Sequence, residues 1–156
     1  MTKKLSRTWV GVEAGLLGGT VIWGYELVVW VHLLHLRTVF GLFQNSAVLA
    51  LGNEVKAWPA AASLAASGLI HYATAVAWAV PFSWAWPALR ARGVEATLAA
   101  LFYGILAWVV MHNVVLALFS PAPPTYTVYG VLNGFVSHTF AFSVPVALWI
   151  KHRGAR

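Results

Sequence analysis

The chain has 156 residues, 60% of them hydrophobic and only 9% charged, with nine Trp, eight Phe and five Tyr, whereas an ordinary soluble domain carries about 25% charged residues. A single water-soluble core of this length has no room for so many apolar side chains, so the bilayer is the expected solvent. The net charge of +6 does not point to nucleic acid, because the basic residues lie singly or in short groups between apolar runs instead of forming one footprint. With no cysteine, disulfides, thiolate zinc sites, iron–sulfur clusters and c-type haem are excluded.

A helix needs about 20 mostly apolar residues to cross a hydrocarbon layer about 30 Å thick. Four stretches meet that length, so the expected fold is an all-α membrane protein, a four-helix transmembrane bundle forming one integral domain over residues 1–156. The first span covers about residues 9–34. Its basic start imitates a secretory leader, but the apolar stretch is too long and carries Glu13, so it reads as a retained helix. Glu13 is expected to meet Tyr103 or a backbone group, or to snorkel toward the cytoplasm. Further along, Gly15, Gly18 and Gly19 share a face with Glu26 and suit close helix packing, while His32 and His35 fall at the outer edge as interfacial polar residues.

The segment 37–58 is too apolar for a solvated loop and too short and polar for a span. An interfacial or re-entrant piece over the outer mouth of the bundle is expected there. The second span, 59–86, carries His71 among Ser67, Gly68, Thr74 and Ala75. After the Arg90–Gly93 turn, Glu95 is a carboxylate placed to favour the start of a helix. The third span, 96–119, carries His112 and ends in a proline-rich turn from Ser120 to Pro124. The fourth, 128–150, carries His138 with Gly134 and Ala141 on the same face, and Pro145 is expected to bend it. Asn113 and Asn133 are candidate bonding groups between helices.

Lys and Arg favour the cytoplasmic side. Lys3, Lys4, Arg7, Arg90, Arg92, Lys151, Arg153 and Arg156 fall on one side against Arg37 and Lys56 on the other, so both termini are expected to be cytoplasmic. Trp9, Trp30, Trp58, Trp84, Trp86 and Trp149 fall near span ends, where amphipathic rings prefer the headgroup layer.

Ionisable residues inside a span cost roughly 2.5 to 3.5 kcal/mol at mid-membrane on insertion scales and usually mark function. Counted inward at about 1.5 Å per residue, Glu26 lies about 12 Å deep, His112 about 10 Å, His138 about 15 Å and His71 about 18 Å. All four share one layer of the outer half. Three imidazoles and a carboxylate suit zinc or iron, and two facing imidazoles suit a b-type haem. The expectation is therefore a buried cluster in which Glu26, His71, His112 and His138 hold a metal ion, or the histidines hold haem, in a redox, sensing or metal-handling role. Two other readings stand beside it: a proton or small-solute pathway through the same residues, and a non-catalytic small subunit whose polar residues only fasten the bundle. Exposed Trp and Phe suit lipid, a second copy of the chain or a larger membrane complex equally well. No nucleophile arrangement and no phosphate-binding loop is present, so no catalytic residue is assigned and an enzyme is not favoured.

Trp23-Gly24-Tyr25-Glu26, mid-span His71, Val110-Met111-His112 before the turn ending Pro123-Pro124, and Ser137-His138 before an aromatic helix and a basic end together resemble the YagU-type family of bacterial inner-membrane proteins. The resemblance covers most of the four spans. It implies the fold and the site residues and supplies no reaction. The segment between the first two helices is shorter here than in that family's pattern.

Overall fold

The structure is a computed structural model that describes residues 6–121, 125 and 127–154. Lys3, Lys4, Arg156 and the Pro123-Pro124 end of the proline-rich turn lie outside the described residues. Among the described residues all regular structure is helical, with α1 at Arg7–Leu33, α2 at Val39–Leu51, α3 at Ala60–Ala91, α4 at Ala96–Phe119 and α5 at Val128–Gly154. A 3-10 turn, Asn53–Ala57, joins α2 to α3. α1, α3, α4 and α5 are each long and apolar enough to cross a membrane, and they match the four expected spans closely.

Side-chain oxygens take up free N–H groups at the helix starts. Ser6 accepts from Trp9, Thr38 from Gly41, Thr127 from Gly130, and Glu95 from both Thr97 and Leu98. α3 runs five residues past its expected end because Pro81 and Pro87 sit inside it without stopping it. Each proline leaves one carbonyl four residues earlier without its usual donor, which a packed helix tolerates.

α1 packs along α3 and α5, and α5 packs along α4. Small residues set these approaches. A Cβ on Gly15 would stand 2.6 Å from the Val76 Cα, and one on Gly104 would stand 2.6 Å from the Thr139 Cα. Backbone meets backbone at both crossings, as the small-residue face of the first span implies. The core that results contains Ala14, Ile22, Phe82, Trp86, Phe142, Val146 and Ile150. Trp86 is therefore a core residue, 5% exposed, and not an interfacial ring, whereas Trp9 and Trp84 are exposed. Phe102, Leu118, Phe119 and Val128 project outward from the bundle with about 70% exposure or more (68%, 71%, 74% and 75%), an arrangement that suits apolar surroundings.

The two chain ends and the turn before α4 share one end of the bundle. There Lys151 Nζ lies 3.3 Å from Glu95 and Arg153 Nε 3.3 Å from Glu13. Glu13 also accepts from Trp149 Nε1 at 3.2 Å. Tyr103 is not its partner, because that hydroxyl donates to the Trp78 carbonyl at 2.6 Å.

The segment 37–58 forms α2 and its 3-10 turn, held down at the opposite end of the bundle. Gln44 donates to the Val55 carbonyl, the Ala47 amide donates to Ser67 Oγ, and Ser120 Oγ donates to the Leu49 carbonyl at 2.6 Å. His32 is exposed in the last turn of α1, and His35, at φ 51, lies in the exposed turn before α2.

Candidate cavity between the helices

A cavity of about 350 Å³ opens between α1, α2, α3, α4 and α5, at the end away from the chain termini. Its size lies at the lower end of the ~300–1,000 Å³ typical of small-molecule sites. Glu26, His71, His112 and His138 all line it, so the shared layer inferred from span depth corresponds to one void. Each of the four is half-buried.

Backbone geometry explains why the helices separate here. In α1, α4 and α5 the backbone widens from α to π turns, at Leu27–Leu33, Met111–Val115 and Ser137–Ser143. Glu26 immediately precedes the first, His112 lies in the second and His138 in the third. A π turn carries an extra residue and is frequent at functional sites. In α5 the widening ends two residues before Pro145, whose ring nitrogen has no hydrogen to give to the turn above it. The π widening thus lies on the His138 side of Pro145.

Each imidazole is anchored to backbone. His71 Nε2 donates to the Gly19 carbonyl at 2.8 Å, His112 Nδ1 to the Trp108 carbonyl at 3.0 Å, and His138 Nδ1 to the Gly134 carbonyl at 2.7 Å. A carbonyl only accepts, so in the neutral ring the bonded nitrogen carries the proton and the other carries the lone pair. Trp23 lies flat against His71, with ring centroids 3.9 Å apart. His112 and His138 meet edge to face, 5.4 Å between centroids and 81° between planes.

This geometry overturns the expected buried metal or haem cluster. Among the described residues no group of three or more His, Asp or Glu side chains could hold a metal ion. The reason lies in the anchoring: Trp23 and Gly19 fix His71 on one wall, while His112 and His138 turn to carbonyls of their own helices. Nor does the edge-to-face contact of His112 and His138 leave a slot for a porphyrin plane between them. Glu26, His71, His112 and His138 line a shared void as separate polar groups and do not form one ligand set.

Several lining residues were not singled out in the sequence. Trp78 and Phe142 supply aromatic wall, and α2 contributes Leu42, Asn45, Ser46 and Leu49. Asn45 Oδ1 is occupied by Arg37, at 2.9 Å, and the Arg37 guanidinium lies 5.5 Å from the Trp30 ring centroid. Of the two asparagines proposed as links between helices, Asn133 accepts from the Tyr25 hydroxyl at 2.9 Å and joins α5 to α1, while Asn113 donates to the Val109 carbonyl of its own helix. Within α2 the buried residues are Leu42, Gln44 and Ala47.

Compared with known proteins, the chain matches no family model, no curated protein and no solved structure.

Proposed function

We propose that this protein is a membrane-embedded binding protein for a small amphiphilic molecule, held in the cavity between the helices. The carrying observation is the cavity itself: about 350 Å³, with aromatic and aliphatic walls and a few polar groups gathered on Glu26, His71, His112 and His138. An apolar pocket with a small number of placed polar groups is the usual form of a ligand site. The three π-helical turns that surround it support the same reading. Among the described residues, Arg7, Arg90, Arg92, Lys151 and Arg153 belong to the end that holds the termini, against Arg37 and Lys56 at the other. That bias supports a cytoplasmic side for both termini and an opening toward the opposite face of a bacterial inner membrane. Several residues that carry the resemblance to the YagU-type family, among them Trp23, Glu26, His71 and His138, line this cavity.

The test uses the purified full chain in phosphatidylcholine nanodiscs with hexan-1-ol as a neutral amphiphilic probe. Saturable binding is expected by titration calorimetry, with a rise in thermal midpoint, since a ligand selective for the folded state stabilises it by about 2.7 kcal/mol at 100 times Kd. Ser46→Phe places a ring in the void and should abolish binding while the protein still folds. Equal binding by the wild type and a folded Ser46→Phe variant would remove the cavity as the site.

A further inference from the structure

We infer that Arg7 and Arg90 form a clamp for the phosphate of an anionic membrane phospholipid, at the end of the bundle opposite the cavity. Both residues fall on the seam between α1 and α3. Arg7, Gly11 and Gly15 follow one another at four-residue spacing and so share one side of α1. That side meets α3, because a Cβ on Gly11 would stand 2.7 Å from the Val80 Cα and one on Gly15 2.6 Å from the Val76 Cα. On α3, Val76, Ser83 and Arg90 recur every seven residues, about two turns, and share the side that meets α1. The Ser83 hydroxyl donates to the Arg7 carbonyl at 2.9 Å, so Arg90 lies two turns beyond the point where the seam reaches Arg7. Backbone contact and this bond hold the two positions at a fixed separation, and both arginines are exposed.

Neither guanidinium has a counter-charge. At this end Glu13 pairs with Arg153 and Glu95 with Lys151, while Glu26 and Glu54 belong to the opposite end. Arg7 and Arg90 make no side-chain hydrogen bond or ion pair among the described residues. The surroundings indicate which anion fits. Trp84, beside the seam, gives its indole N–H to Thr8 at 3.2 Å and keeps an exposed ring, an amphipathic arrangement that suits the headgroup layer. Helices apolar enough to cross a membrane carry both arginines, so lipid phosphate is the anion always present beside them. A guanidinium offers a planar fork of donors that matches phosphate oxygens, and basic sites between membrane helices suit anionic lipid headgroups.

The test titrates phosphatidylglycerol and phosphatidylcholine separately onto the full chain in dodecyl maltoside micelles and follows single-lipid binding by native mass spectrometry. Phosphatidylglycerol should bind its first site about 20-fold more tightly than phosphatidylcholine, from about fivefold for each cation near a charged headgroup. Arg7→Gln and Arg90→Gln should each remove about fivefold of that preference. Arg92 lies two residues on, about 200° round α3, with its Nη1 donating to the Ala88 carbonyl at 3.3 Å, and Arg92→Gln should leave the preference within about twofold of wild type. Equal affinity for the two lipids on the wild-type chain overturns the clamp, as does a loss in Arg92→Gln equal to that in Arg90→Gln, which would reduce the effect to net charge. Ser46→Phe should bind phosphatidylglycerol as the wild type does; a loss there would place the lipid in the cavity and overturn the seam as its site. The clamp thus stands or falls separately from the binding function proposed above. Inorganic phosphate in large excess should leave bound phosphatidylglycerol in place, and displacement would overturn the lipid assignment in favour of a soluble phosphate. Should an arginine variant fail to fold, the ranking of the two lipids on the wild-type chain decides the question alone.

Discussion

Trp23 and His71 are stacked nearly parallel, 11° between planes with centroids 3.9 Å apart, and the far nitrogen of that imidazole reaches back to the Gly19 carbonyl one turn earlier on α1. One histidine of α3 is thus clamped by α1 through both its face and its edge. His71→Ala removes the stack and leaves the carbonyl without that donor. An interhelical hydrogen bond in a membrane contributes on average about 0.6 and at most about 1.7 kcal/mol, and an aromatic pair adds about 0.5–1.5 kcal/mol. A loss of about 1–3 kcal/mol is expected in equilibrium unfolding in mixed micelles, together with a weaker near-ultraviolet circular dichroism signal from Trp23. An unchanged signal would show that the stack does not order that ring.

Close approach of α1 to α3 is tested by two glycines nine residues apart. A Cβ at Gly15 meets the Val76 Cα at 2.6 Å, whereas one at Gly24 meets nothing within 4 Å. Gly15→Ala must therefore push two backbones apart, at a cost of about 1–3 kcal/mol typical of overpacking. Gly24→Ala should be neutral or stabilising by up to about 1 kcal/mol, from helix propensity. Thermal midpoints of the two variants, measured side by side, give the sign of each.

Glu95 provides the pH dependence. Desolvation raises its carboxyl, but hydrogen bonds from the Leu98 and Thr97 amides, with the Lys151 and Thr97 side chains, together outweigh it and hold the group below its ordinary value of 4.5. The folded value is the lower of the two, so its contribution is present above the unfolded value and is lost as the pH falls through the folded one. Wild type should be more stable than Glu95→Gln at pH 7, and the gap should narrow as the pH falls below the ordinary carboxyl value and close once the folded-state carboxyl protonates. A gap independent of pH would assign the effect to packing. Added salt should narrow the gap at pH 7, because the Lys151 pair is exposed.

The hydroxyl of Ser120 fastens the end of α4 to the Leu49 carbonyl of α2 at 2.6 Å. Ser120→Ala should speed hydrogen exchange of the last-turn amides of Val39–Leu51 several-fold, in line with about 0.6–1.7 kcal/mol for such a bond, and leave the amides of α3 unchanged. Exchange rates unchanged in α2 would show that Gln44, Ser67 and the apolar contacts hold the segment without it.

Hydropathy alone was enough to locate the four long helices, because lipid-compatible length is written directly into runs of apolar residues. Their ends were less legible: Pro87 looks like a stop, yet α3 continues to Ala91, since packing and not local propensity decides whether a proline is absorbed. Glu26, His71, His112 and His138, which depth along each span puts in one layer, all line one void. Depth carries no information about rotation of a ring at its Cα, and that rotation separates a cavity lining from a metal centre. His112 and His138 turn to carbonyls four residues back on their own helices, an option open to any histidine on a helix and invisible in spacing. The contribution of α2 was hidden for a different reason. An interfacial reading of 37–58 gives its residues no inward face, whereas Ser67 and Ser120 pull it against the bundle.

The π-helical turns separate two jobs that a uniform helix would have to share. One residue corresponds to about 100° of rotation on an α-helix, so an extra residue at Ser137–Ser143 resets which side of α5 faces inward on either side of it. His138 can thus be aimed at the void while Val146, Ala147 and Ile150 of the same helix stay buried in the core. The same holds for α4, where Ala99, Ala100 and Gly104 are buried below the turn and His112 lines the cavity within it. Single-residue deletions in these turns would re-aim the lining against a fixed scaffold, which makes the recognition layer able to diverge in sequence while the packing layer beneath it stays constant.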